Sequence, residues 1–147
     1  MDTTTLVGPD VDGTERLLAA LEADGVPIVA AFWQHPTAET GWRLIIASPS
    51  VKEDGAMPIY RRVQDALQQM PETPIRLDDI YAVGDRDPLV VWLRSSIPSD
   101  FPIPGLDVTV PLANYSSYAP DEAALARLHI HRLVRPDAPT RQRRRSR

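Results

Sequence analysis

His129-Ile130-His131 sets two imidazoles two residues apart. In an extended strand that spacing puts both rings on one face, where they can chelate a transition metal if carboxylates converge from elsewhere. His35 is the third and last histidine, and no His/Asp/Glu pattern surrounds the pair. A polar strand face opposite Leu128 and Ile130 therefore accounts for them more simply, and no metal ligand is assigned. His35 itself lies beside Pro36 with no neighbouring serine nucleophile or orienting acid, which marks a loop histidine.

The other residues with reactive possibilities are acids. Asp78-Asp79 precedes a strand-like segment, and Glu53-Asp54 precedes a helical one with Lys52 beside it. Carboxylates that hold Mg²⁺, with a lysine steadying developing negative charge, are what a metal-assisted nuclease or phosphodiesterase requires. Here Lys52 comes before the acids, no strand-borne D…(D/E)-x-K arrangement exists, and acids at helix starts follow from capping alone. The seven glycines are scattered singly, so neither a phosphate-binding loop nor a dinucleotide fingerprint can be assembled. Ser48, Ser50, Ser95, Ser96, Ser116 and Ser117 lack the G-x-S-x-G elbow of acyl transfer. No catalytic residue and no cofactor is expected, and binding is favoured over catalysis.

Candidate binding residues are aromatic and cationic. Trp33 and Trp42 flank a polar stretch, and paired across a hairpin they would form an aromatic patch with Arg43 beside it, although ordinary packing under a helix is the favoured reading. Tyr115 and Tyr118 sit in a polar, aperiodic run suited to adaptable loop contacts. The end of the chain is cationic: up to Val134 ten Arg and Lys stand against nineteen Asp and Glu, a balance of −9, whereas the last thirteen residues hold six Arg against Asp137 alone. Arg143, Arg144 and Arg145 lie in that tail and can attract phosphates without sequence specificity. The acidic body carries no helix-turn-helix, zinc-finger or RNP signature to add specificity.

Composition bounds the rest. At 147 residues the chain has room for one domain with its own core, and the absence of cysteine excludes disulfides, thiolate metal sites and cysteine nucleophiles. The start is acidic and polar, without the basic and apolar regions of a secretory signal, and no apolar run approaches the length of a membrane span. A cytoplasmic bacterial protein is expected, the single Lys and single Asn among abundant Arg resembling GC-rich codon bias.

These residues need elements to position them. Leu17, Leu18 and Leu21 make one apolar stripe, so a helix is expected over 14–24, with Asp12 and Glu15 as a capping-box pair and Gly25 as its stop. Segments 26–34 and 42–48 read as strands joined by a hairpin loop, and the first is apolar on both faces, the mark of a central strand covered on both sides or of one covered by helices on one side and a partner on the other. Ile59, Val63, Ala66, Leu67 and Met70 share one helical face over 55–70, with Asp54 as N-cap. A strand over 80–83, a helix over 88–96 capped by Asp87, an edge strand over 106–110 and a strand over 127–134 complete the pattern, with one or two helical turns possible over 120–126. The expected fold is α+β: a single domain over 12–134, in the order α-β-β-α-β-α-β-β, with a mixed sheet of about five strands and helices mostly on one face. Residues 1–11 are expected to be a flexible N-terminus and 135–147 a disordered Arg-rich tail. The function expected is that of a small accessory or protein-interaction domain, its partner another protein or itself, with no membrane. A metal-assisted nuclease or phosphodiesterase and a nucleic-acid-associated protein held by its tail are the alternatives.

Overall fold

The computed structural model describes residues 10–35, 42–98, 103, 106–111 and 125–134. Among them α1 (Val11–Ala23) is followed by β1 (Ala30–His35) and β2 (Arg43–Ala47), then by a short helix α2 (Ser50–Asp54) and by α3 (Met57–Gln68). A 3₁₀ turn (Leu77–Asp79) leads into β3 (Ile80–Val83), α4 (Pro88–Ser96), β4 (Leu106–Pro111) and β5 (Leu125–Leu133). The strands form one mixed sheet in the order β3-β2-β1-β5-β4. β2 and β3 run parallel, and the other neighbours run antiparallel. The α+β class and the five-stranded mixed sheet are thus as the sequence implies. β1 is the middle strand, as its two apolar faces require.

Alternation along β1 divides the core in two. Ala31 and Trp33 point toward α1 and α3, where Leu17, Leu18 and Leu21 meet Ile59, Val63 and Met70 with Leu44 and Ile46 of β2. Ala30 and Phe32 point to the opposite side, where Leu89, Val90 and Leu93 of α4 pack with Ala47, Leu128, Ile130 and Leu133. A single helix among the described elements covers that second face. The hydrophobic stripes explain both placements, since each helix buries the face its periodicity marks.

Several boundaries move for local reasons. The first helix starts at Val11, because the Asp10 carboxylate, not that of Asp12, accepts the Gly13 N–H at 3.1 Å. The second oxygen of Asp10 accepts the Thr73 hydroxyl at 2.7 Å. Gly13 is required there: a Cβ on it would meet Asp10 Oδ2 at 2.2 Å and Thr73 Oγ1 at 2.8 Å. Asp54 is not the cap of the long helix but the last residue of α2, while α3 begins after Ala56 with no side-chain cap and Pro58 in its first turn. Ser48, fully buried, accepts the Ser50 N–H at 3.2 Å and so starts α2 just after β2. Asp87 caps α4 as expected, accepting from the N–H groups of Leu89 and Val90 at 3.0 and 3.4 Å. Leu125 and Ala126 belong to β5 rather than to a helical turn, and 120–124 lie outside the described residues.

Val63 is fully buried between α1 and the sheet, whereas Gln64 is exposed. Val63→Asp must desolvate an unpaired charge and is expected to destabilise the chain by about 3 kcal/mol or more, with Gln64→Asp changing it by about 0.5 kcal/mol or less. Denaturant titration of the two variants checks this; equal midpoints would place the stripe on the wrong face.

Candidate functional site

The most developed polar arrangement arises from an irregularity in β5. In its pairing with β1, Ala31 lies opposite Arg132 and Phe32 opposite Ile130, so His131 is an extra residue without a direct partner. A bulge of this kind lets two consecutive side chains turn to one side of the sheet. His131 and Arg132 both reach Glu15 of α1: His131 Nδ1 lies 2.5 Å from Glu15 Oε2, and Arg132 donates from a terminal nitrogen to Glu15 Oε1 at 2.8 Å. Arg132 also donates to both carboxylate oxygens of Glu22, two helical turns further along α1, at 3.1 and 3.4 Å.

Burial and charge act in opposite directions on this triad. Burial works against ionisation of Glu15, but the hydrogen bonds from His131 and Arg132 outweigh it and hold its carboxyl below the ordinary value. Burial of His131 favours the neutral ring and outweighs the pull of Glu15, so its imidazole titrates below the usual value. Burial would likewise weaken the charge on Arg132, yet its bonds to Glu22 and Glu15 prevail and hold the guanidinium more firmly protonated. A neutral His131 donates Nδ1–H to the Glu15 carboxylate, which leaves a lone pair on Nε2.

His129 repeats the pattern one pleat away. Its Nδ1 lies 2.7 Å from Oδ1 of Asp107, the residue directly opposite it on β4. The His129 and His131 ring centroids are 5.1 Å apart in an edge-on arrangement at 71°. Both Nε2 atoms are buried and neither has a hydrogen-bond partner among the described residues. The two histidines thus share a face as the strand spacing implies; His131 is enclosed under α1, whereas His129 stays partly exposed beside Asp107. His131 is only 1% exposed.

The aromatic candidates fall otherwise. Trp33 lies opposite Leu44, not Trp42, and is buried in the core, its indole N–H donating to the Thr14 hydroxyl at 3.0 Å. The Trp33–Trp42 pairing is therefore corrected to a His35–Trp42 contact, with ring centroids 4.8 Å apart, and Arg127 of β5 stacks over Trp42 at 5.4 Å. Arg43 lies 5.3 Å over the ring of Tyr81 instead. Tyr115, Tyr118, Arg143, Arg144 and Arg145 lie outside the described residues.

The acids singled out for metal chemistry are used locally or stand in solvent. Asp79 accepts the Arg76 N–H at 3.1 Å, Asp78 is exposed, and Glu53 and Asp54 are exposed on α2. Among the described residues no group of three or more His, Cys, Asp or Glu side chains is assembled to hold a metal ion. No described helix is long and apolar enough to cross a membrane. Sequence reasoning missed Glu15, Asp107 and Arg132. Glu15 meets His131 across 116 positions of chain, and only knowledge of the bulge would have added Arg132 to the same side. Comparison of the chain with protein-family models, curated proteins and solved structures finds no match.

Glu15→Ala leaves a buried Nδ1–H on His131 without its acceptor and frees one side of Arg132. Its expected cost is about 1–3 kcal/mol, while Glu72→Ala, which removes only an exposed pairing with Arg16, is expected to leave stability nearly unchanged. Thermal or denaturant unfolding of the two variants checks the difference, and equal effects would remove Glu15 from the structural centre.

Proposed function

We propose that this chain is a small accessory or protein-interaction domain that works by binding rather than catalysis, and that its occupant is a second copy of itself. The observation that supports this is the unequal cover of the sheet. On the side of α4, Ile45 and Val83 are only half-buried, and Tyr81 is 42% exposed with the Arg43 guanidinium over its ring. An aromatic ring, an arginine and flanking aliphatics are the composition of an interface centre.

The contact is made with the sheet face rather than with the edge of β3. Ser48 N–H donates to the Val83 carbonyl, which sets the phase of the parallel ladder so that the Ala82 N–H points away from β2. The Tyr60 hydroxyl accepts that N–H at 2.9 Å and so blunts the edge against strand addition. A second copy suits the charge distribution, because the acidic body and the cationic tail of two chains attract each other. The nuclease reading lacks a converged ligand set among the described residues, and the tail reading rests on residues outside them.

Sedimentation equilibrium at low salt is expected to show reversible dimerisation, with Tyr81→Asp weakening it about 30-fold or more at unchanged melting temperature. A parent chain that stays monomeric at high concentration, or a Tyr81→Asp variant that associates as tightly, overturns the proposal.

A further inference from the structure

The histidine pair of β5 has a feature that packing and dimerisation leave unused. Two imidazoles are each oriented by a carboxylate at Nδ1, His131 by Glu15 and His129 by Asp107, and each keeps a buried Nε2 with no partner among the described residues. An unmet polar atom inside a fold costs free energy, and one on a side chain 1% exposed, beside a second of the same kind, calls for a ligand. Carboxylate–imidazole pairing is the arrangement in which the carboxylate fixes the tautomer and raises the basicity of the opposite nitrogen toward a metal ion.

We propose that His129 and His131 form a two-nitrogen site for a divalent transition metal, Zn²⁺ or Cu²⁺, with Glu15 and Asp107 as positioning residues. With metal–nitrogen bonds of about 2 Å and a tetrahedral angle, two imidazoles sharing one ion have ring centroids about 5 Å apart. Those of His129 and His131 are separated by 5.1 Å. Neutral imidazole suits these ions, whereas Mg²⁺ and Ca²⁺ prefer oxygen and are not expected to bind here. The remaining coordination positions fall to water or to a group from outside the pair.

The test uses the full chain and the metal ions alone. Calorimetric titration with Zn²⁺ is expected to show one saturable site, and the Cu²⁺ form is expected to show hyperfine coupling to two imidazole nitrogens in electron paramagnetic resonance. His129→Asn removes a ligand at a position more exposed than His131, and is expected to abolish the site. Asp107→Asn keeps both ligands and is expected to weaken affinity about 10- to 100-fold, while Mg²⁺ gives no signal. His35→Asn is expected to leave binding intact. The proposal is overturned if the parent binds neither ion saturably, if His129→Asn binds as the parent does, or if the signal follows His35 instead.

Discussion

The Glu15 carboxylate makes the most extensive polar junction between helix and sheet among the described residues. It accepts from His131 and Arg132 of β5, and Arg132 extends the link to Glu22. This polar seam depends on the bulge opposite Ala31 and Phe32, without which alternation would send His131 and Arg132 to opposite faces. Because the seam lies beside the buried Leu17, Leu18 and Leu21 of the same helix, an unpaired charge there would be costly, and Arg132 pairs with both Glu15 and Glu22.

The start of α1 is held by a second set of polar contacts. Asp10 caps the helix and receives the Thr73 hydroxyl, while the Thr14 hydroxyl donates to the Asp10 carbonyl and accepts the Trp33 indole N–H. The N-terminal turn of α1, the segment after α3 and the central strand thereby share one hydrogen-bonded chain, with Gly13 supplying the close approach. The helix is thus fixed in rotation about its axis. Its Glu15 faces β5, and the two imidazole rings are held in register with it.

Elements governed by local rules were legible in the sequence. The β1 segment is apolar on both faces and lies centrally, the Ile59-Val63-Met70 stripe faces the core, and Asp87-Pro88 opens a helix. Three things were not legible, and each depends on contacts distant in the chain. The first helix takes its cap from Asp10 because Thr73 shares that carboxylate. Trp33 packs under a helix, as the sequence favours, but the Thr14 hydroxyl that satisfies its indole could not be read from spacing. Arg132 joins His131 against α1 because of a bulge, which no residue pattern announces, and His131 there is buried rather than exposed.

The central claim is that His131 is a buried neutral imidazole held by Glu15 through Nδ1, with a free lone pair on Nε2. Nitrogen-15 chemical shifts of the His131 ring, measured at neutral pH without metal, report this directly. A protonated Nδ1 and an unprotonated Nε2 are expected, with the pattern lost in Glu15→Ala. A His131 ring protonated at Nε2, or on both nitrogens, would contradict it.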